Sequence, residues 1–197
     1  MPTAEPPEED TLHDVAARLL TMPSALAELS LVEARFVIGY TKLYRFEAGT
    51  TVILEGEQKL NDFMFLVLSG DVTVETIHVS RSEPVVMTVL GPGSLLGEMG
   101  LLDGAPRAAS CVASTDLTTA VLTRGALARL IHDNATIGAK LLIAVSQRLA
   151  ARLRESGQKL RAYTQLARAM QDEIESRDRS ERDGGRRGGA TEHVFKT

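Results

Sequence analysis

The sequence has little cysteine, no excess of positive charge and no long apolar run, and each absence excludes a class of protein. A single cysteine, Cys111, cannot form an intramolecular disulfide, so a reducing, cytoplasmic compartment is expected. A formal net charge of −4 does not favour nucleic acid as a partner. No apolar run approaches the roughly 18 residues of a membrane span, and the acidic, proline-rich start resembles neither a signal nor a transit peptide.

Residues that support catalysis or hold metals are also sparse. No Ser–His–Asp set and no pair of carboxylates stands out, and Cys111, in an apolar segment, is expected to be inert core. We therefore predict no enzymatic activity, no metal site and no cofactor. The four histidines are scattered without the spacing of metal ligands: His13, His78, His132 and His193.

The region from 42 to 123 consists of short apolar runs separated by turn signals such as Gly91-Pro92-Gly93. Many short strands about 8–12 residues apart predict an all-β sandwich or barrel. We expect a first strand at 42–46 and an exposed hairpin loop in HVSRSEP. The further strands are expected in TVILEG, FMFLVLSG, VTVETI, VVMTVL, AASCVAST and TTAVLT.

Helical periodicity flanks this β-rich region on both sides. An N-terminal apolar stripe is interrupted at Pro23, and after Arg124 a short helix leads to Asn134, a suitable N-cap for a long helix. The predicted organisation is a disordered leader at 1–10, N-terminal helices and a β-domain at 11–133, a long C-terminal helix at 134–176 and a disordered tail at 177–197.

The long helix carries apolar residues in alternating steps of three and four, which is the heptad pattern of a coiled coil. Packing against its own β-domain explains the part before about residue 150. Beyond that point we expect a partner helix, most simply a second copy, and so a homodimer through residues 149–174. The seam consists of Leu149, Leu153, Ser156, Leu160, Tyr163, Ala167, Met170 and Ile174.

The chemistry is concentrated in GEMGLLDGAPRAAS, at 97–110. Gly97 and Gly100 allow a backbone to approach a ligand closely, and a helical turn starting near Glu98 would offer unsatisfied N–H groups to an anion. Arg107 adds a permanent charge suited to a phosphate. The small residues that leave room beside it are Ala108 and Ala109.

Glu98 would repel a phosphate, but it can accept a hydrogen bond from a sugar hydroxyl. A ligand with one phosphate and a free ribose hydroxyl therefore suits both Glu98 and Arg107. The alternative is a surface ion pair between the two residues, which contributes little to stability.

The order of residues from Leu96 to Ser110 resembles the phosphate-binding cassette of cyclic nucleotide-binding domains. Glu47–Glu57 and Phe63–Val74 resemble the family's glycine-bearing turn and strand pair. Leu96 replaces the usual aromatic, and Gly100 stands where alanine is commoner. The resemblance covers about residues 25–160. It implies a mainly β fold with flanking helices, a β-roll (double-stranded jelly roll) with N-terminal helices and a long C-terminal helix.

The resemblance also implies roles for matched residues. Glu98 would bind the ribose 2′-hydroxyl, Arg107 the cyclic phosphate, and the N–H groups of Gly100 and Ala108 would complete the phosphate site. Family members that favour guanine often carry a threonine after the arginine, so Ala108 favours cAMP over cGMP. Ser156 would contact the base from the long helix. The ligand-binding set on this basis is Gly97, Glu98, Met99, Gly100, Arg107, Ala108, Ala109 and Ser156.

Three hypotheses remain open. The first is a cAMP receptor that signals through its homodimeric helix to a protein effector, whose identity the sequence does not give. The second is a nucleotide-independent interaction module with a structural cassette, and the third is a nucleic-acid binder driven by the tail. A cyclic di-GMP sensor is a variant of the first. Because only the tail follows Ile174, we expect no helix-turn-helix module, which needs about 50 residues or more.

Overall fold

A computed structural model of the protein describes residues 9–77 and 84–187. The chain divides into an N-terminal unit, residues 1–148, and a C-terminal unit, residues 149–197. The elements are α1 (Glu9–Leu20), α2 (Leu31–Ile38), β1 (Lys42–Phe46), β2 (Thr51–Ile53), β3 (Phe63–Ser69), β4 (Val72–Ile77), β5 (Pro84–Leu90), β6 (Leu95–Leu96), α3 (Glu98–Asp103), β7 (Ser110–Ala113), β8 (Leu117–Thr123), α4 (Arg124–Asp133) and α5 (Ala135–Arg187).

The strands of the N-terminal unit form two four-stranded antiparallel sheets, in the orders β1-β8-β3-β6 and β2-β7-β4-β5. Apolar side chains from both sheets pack into one core, which includes Phe65, Val72, Leu117 and the buried Cys111. The other face of β3 and β8 packs against α1 and α2, where Leu20 and other apolar residues line one small cavity. Burial on both faces explains why FMFLVL is continuously apolar. The predicted mainly β fold with flanking helices is confirmed.

The strand predictions agree closely with the structure. Each of the seven predicted segments corresponds to one strand, and β1 begins and ends where the sequence places it. The sequence analysis missed β6, because a strand of two residues has no alternation to detect. The predicted HVSRSEP loop falls mostly on residues 78–83, which lie outside the described residues.

Capping interactions set the start of several helices. Ser30 and Glu33 form a reciprocal capping box on α2, and Glu33 also forms an ion pair with Lys140 of α5. Asn134 Oδ1 accepts a hydrogen bond from the Ile137 amide at 3.0 Å, which confirms the predicted N-cap of α5. The first part of α5 belongs to the N-terminal unit and buries one face, formed by Ile137, Leu141, Ala144 and Val145.

The helix ends and the unit boundary differ from the predicted organisation. Helix α1 starts at Glu9, inside the predicted leader, and α5 continues to Arg187 rather than ending at 176. The segment 177–187 lacks an apolar stripe, but it contains no proline and is rich in arginine, which has good helix propensity. The boundary between units follows Arg148, within α5. The rest of the predicted leader and tail, 1–8 and 188–197, lies outside the described residues.

The C-terminal unit, over its described residues, is a continuation of α5 with an apolar stripe on its surface. Leu153, Leu160 and Tyr163 have 75%, 67% and 69% of their surface exposed, and Met170 is also exposed. Ile174 continues the helix backbone but falls outside the residues whose side chains are described. Over the described part of the chain, no helix is both long enough and apolar enough to cross a membrane.

Candidate functional site

Two glycines of the cassette stand where a side chain would collide with its neighbours. Gly97, the N-cap of α3, has φ 80°, and a Cβ there would lie 2.9 Å from Arg107 Nη1. A Cβ at Gly100 would lie 2.7 Å from the carbonyl oxygen of Asn61 and 2.9 Å from Arg107 Nη1. Both glycines were expected to allow a close approach, and the group that approaches them is the guanidinium of Arg107.

Arg107 is buried, with 5% of its surface exposed, and its guanidinium is held by backbone carbonyls. Nη1 donates to Gly97 at 2.9 Å, and Nη2 donates to Phe63 at 2.9 Å and to Leu60 at 3.1 Å. Nε donates to Leu60 at 3.2 Å, and the Phe63 ring lies 4.4 Å from Cζ. Burial lowers the pKa of the guanidinium, although an arginine stays charged in proteins.

The arrangement differs from the surface ion pair considered above. Glu98 is 1% exposed and Arg107 is 5% exposed, so neither residue lies at the surface. The four hydrogen bonds of Arg107 go to neutral backbone oxygens. Asp62 and Glu98 are close enough to oppose the lowering of its pKa. The site is therefore a buried cation beside a buried carboxylate.

The cassette is joined to the segment after β2 by backbone hydrogen bonds. Gly56 N donates to the carbonyl of Arg107 at 2.8 Å, and Arg107 N donates to that of Glu57 at 3.2 Å. Ser110 Oγ accepts from the Glu55 amide at 3.0 Å. These contacts fix the main chain on both sides of Arg107.

Two residues that the sequence analysis missed hold the C-terminal end of α3. Asn61 Nδ2 donates to the carbonyls of Gly104 and Ala105 at 2.5 and 3.2 Å. Arg124 donates from Nη2 to the carbonyl of Gly100 at 2.7 Å and from Nε to that of Leu101 at 3.0 Å. Their partners are backbone groups far away in sequence, so no motif reveals them.

The structure brings Gly97, Glu98, Gly100 and Arg107 together in the N-terminal unit. Of the remaining predicted site residues, Met99 is half-exposed on α3, Ala108 is exposed and Ala109 is half-buried. Ser156 lies in the C-terminal unit, where it is exposed on α5, and its contact with a base stays a prediction.

Arg107 and Glu98 together are suited to bind one anion and one hydroxyl group. Of the five N–H donors of an arginine, the hydrogen bonds to the described residues use four and leave one on Nη1. A buried carboxylate such as Glu98 accepts hydrogen bonds. Within 9–77 and 84–187, no cluster of His, Cys, Asp or Glu side chains is placed to hold a metal ion.

Comparison with known proteins agrees with the resemblance. The family model of the cyclic nucleotide-binding domain matches residues 43–134. A solved cyclic nucleotide-binding domain from Methylobacillus flagellatus KT is 31% identical with a TM-score of 0.65, and the match covers 76% of this chain and 83% of that chain.

Two curated relatives carry cAMP in their names. The CRP-like cAMP-activated global transcriptional regulator of Mycobacterium tuberculosis is 31% identical over 104 residues, 53% of this chain and 45% of that protein. The Cyclic AMP receptor protein of Thermus thermophilus is 32% identical over 117 residues, 59% of this chain and 53% of that protein. The chain therefore spans about half the length of these curated relatives.

Proposed function

Because this chain belongs to the cyclic nucleotide-binding domain family, we propose that it is a cAMP receptor whose cassette binds the cyclic phosphate at Arg107. The observation that carries the proposal is the state of this arginine. It is a buried cation whose hydrogen bonds go to neutral carbonyl oxygens, and such a charge favours an anionic partner.

The remaining donor of Arg107 suggests where the phosphate binds. Nη1 lies beside Gly97 and Gly100, and the amide of Gly100 is in the first turn of α3, where helix N–H groups have no partner within the helix. A phosphate oxygen between Nη1 and this amide would receive a charged and a neutral hydrogen bond. Because Gly97 has no Cβ, Arg107 Nη1 can lie next to its backbone.

Glu98 would bind the sugar of the same ligand. A carboxylate has two oxygens that accept hydrogen bonds, and a ribose 2′-hydroxyl can donate one to Glu98. The positive charge of Arg107 lies close enough to offset the repulsion between Glu98 and a phosphate. The pair therefore favours a cyclic nucleotide over a phosphate alone.

Adenine is the base that we propose. Ala108, which follows the arginine, has no hydroxyl for a guanine, and the two curated relatives are named for cAMP. The contact to the base would come from Ser156 on α5. cGMP and cyclic di-GMP are the competing ligands in the test below.

The response is proposed to pass through a homodimer to a protein effector in the cytoplasm. The exposed stripe of Leu153, Leu160, Tyr163 and Met170 on α5 has the heptad spacing of a helix that packs against a partner helix. A second copy of this chain presents the same stripe and so can cover it.

Thermal unfolding with and without cAMP tests the proposal. At about 100 times its dissociation constant, a ligand adds roughly 2.7 kcal/mol of stability, a shift of several degrees. We expect cAMP to raise the midpoint of the wild type and of Arg45→Ala, a control at an exposed arginine of β1, but not that of Arg107→Ala. If cAMP, cGMP and cyclic di-GMP all leave the wild type unchanged, the cassette is structural and the protein is a nucleotide-independent interaction module.

A further inference from the structure

Three arginines of α5 lie one heptad apart on one side of the helix. Arg154, Arg161 and Arg168 are exposed, and a spacing of seven residues places them on the same side, about 10.5 Å apart along the helix. Gly157 lies between the first two, and together these four residues form the arginine face. We propose that the arginine face docks an acidic helix of a partner protein. This inference rests on the proposed signalling to a protein effector and gives the chemistry of that effector.

The arginine face lies beside the predicted seam and not within it. Each arginine directly follows a seam residue in the sequence, these residues being Leu153, Leu160 and Ala167. One residue corresponds to about 100° around the helix axis, so the arginines occupy an outward-facing position of the heptad. A second copy that covers the seam therefore leaves the arginine face open to another partner.

The charge of this part of α5 is opposite to that of the chain as a whole. Residues 149–171 contain five basic residues and one acidic residue, a net charge of +4 in a chain whose formal net charge is −4. Of the three arginines, only Arg168 has an acidic residue three or four positions away, the spacing at which ion pairs form along a helix. Lys159, by contrast, pairs with Glu155 at 2.6 Å. Solvated helix faces mix charges of both signs, so the single sign here indicates that the counter-charges come from another molecule.

Gly157 is a residue that the helix itself does not need. It stands three residues after Arg154 and four before Arg161, on the same side of α5. Glycine is among the weakest helix formers, and a Cβ at this position would meet nothing within 4 Å, so no contact within the described residues requires it. The missing side chain lets the backbone of another segment come close to α5 between two arginines.

A second helix matches the spacing of the arginine face. Because all α-helices rise by about 1.5 Å per residue, carboxylates at every seventh residue of a partner helix meet all three arginines in register. Each pair can then form the two parallel hydrogen bonds that an arginine makes with a carboxylate. Gly157 allows the two helices to pack closely at the same place.

Lipid and nucleic acid fit this surface less well. A helix that binds a lipid surface needs apolar side chains next to its basic residues. The residues three and four positions from Arg161 have no apolar side chain, since they are Gly157, Gln158, Thr164 and Gln165. A nucleic acid is a long polyanion, and the chain outside residues 149–171 carries a net charge of −8, which repels it. An acidic helix is short enough to bind at the arginine face alone.

Fluorescence anisotropy of the full chain with synthetic helical peptides tests the proposal. The heptad-spaced peptide carries glutamate at every seventh residue over three heptads, and the control peptide has the same composition with its glutamates on all sides of the helix. Each exposed ion pair changes affinity a few-fold, so we expect the heptad-spaced peptide to bind about tenfold more tightly.

Removing the three charges should abolish this preference, in the triple variant Arg154→Gln, Arg161→Gln and Arg168→Gln. The preference should persist in a matched control that removes three exposed arginines outside the arginine face, with Arg45→Gln, Arg129→Gln and Arg152→Gln. Both variants should keep the oligomeric state of the wild type in sedimentation equilibrium. Dissociation of the first variant alone would place its arginines in the interface between copies and overturn the inference.

Gly157→Ala tests the close approach separately. Alanine favours the helix, so the variant should unfold at or above the wild-type midpoint. Its added Cβ should nevertheless weaken binding of the heptad-spaced peptide by about threefold or more, because it fills the space that the partner needs. Unchanged affinity in Gly157→Ala would exclude a closely packed helix and overturn the inference.

Other occupants of the arginine face are outcomes of the same assay. The inference is overturned if the wild type binds the two peptides equally. It is also overturned if phosphatidylserine vesicles or a single-stranded oligonucleotide bind more tightly than the heptad-spaced peptide. None of these results changes the thermal shift by which the cAMP site is tested. If cAMP leaves the unfolding midpoint unchanged while the heptad-spaced peptide binds at the arginine face, the proposed cAMP receptor fails and the docking surface stands.

Discussion

Arg107 Nη1 donates to the carbonyl oxygen of Gly97 at 2.9 Å, so the residue proposed to bind the phosphate also fixes the turn from which α3 starts. One side chain therefore has a structural and a binding role. A substitution at Arg107 changes both, and experiments on it must measure stability and affinity separately.

The first prediction separates these two roles with Arg107→Lys. Lysine keeps the charge but cannot hold three carbonyls in one plane, and the unpaired buried oxygens should lower the ligand-free unfolding free energy by about 1–3 kcal/mol. We also expect cAMP affinity to fall, since Nη1 is lost. Chemical denaturation measures the first effect and isothermal titration calorimetry the second. Unchanged affinity in a destabilised variant would show that Arg107 is only structural.

The second prediction concerns Gly100→Ala. An added Cβ would collide with the Asn61 carbonyl and with Arg107 Nη1, and overpacking of this kind costs about 1–3 kcal/mol. We expect a lower unfolding midpoint and weaker cAMP binding. Gly125→Ala on α4 is the matched control, because a Cβ there meets nothing within 4 Å and alanine is the better helix former by up to about 1 kcal/mol. Equal effects of the two substitutions would contradict the close contact at Gly100.

The third prediction is a pH dependence that arises at Glu33. Its pKa is lowered from 4.5 to about 2, first by the hydrogen bond from Lys140 and then by the capping bonds with Ser30. Since the folded pKa lies below the unfolded one, the stabilising contribution is complete above about pH 4.5 and is lost as the pH falls toward 2.

Thermal unfolding of Glu33→Gln across this range measures the effect. The variant should unfold below the wild type at about pH 7, and the difference should shrink as the pH falls toward about 2. Glu28→Gln, at an exposed glutamate of the preceding turn, should show no such pattern. A difference between Glu33→Gln and the wild type that is the same at both ends of the range would show that the ion pair with Lys140 does not stabilise the fold.

The fourth prediction tests the proposed partner helix. Leu160→Asp places a charge in the middle of the exposed stripe, where a second helix would bury it at high cost. We expect the dimer to dissociate in sedimentation equilibrium, whereas Ala162→Asp, outside the heptad seam, should remain dimeric. A wild-type protein that is monomeric at high concentration would rule out the homodimer.

Local patterns were sufficient to predict most of the fold. The strands β3, β4 and β8 follow from apolar runs that are bounded by turn residues, and Asn134 is the N-cap of α5 as predicted. Helix α5 extends to Arg187, past its predicted end at 176, because a helix does not have to end where its apolar stripe ends. Charged residues with good helix propensity continue a helix without any apolar face.

The sequence suggested residues for the site but not their contacts. The resemblance implies a sugar at Glu98 and a phosphate at Arg107, yet nothing in the sequence shows that the carbonyls of Leu60 and Phe63 hold the guanidinium. Backbone oxygens have no sequence signature, since every residue carries one. Arg124 was missed for a similar reason, although a basic residue at the first position of a helix is a signal that could be searched for.

The single cysteine of the sequence lies in strand β7, where its side chain belongs to the core and is 4% exposed. Thiol reagents that react at the protein surface will therefore label Cys111 very little. A cysteine introduced at an exposed residue of α4, such as Ala128, can be labelled selectively in an otherwise native sequence. Fluorophores or spin labels can thus be attached to this protein without first removing a native thiol.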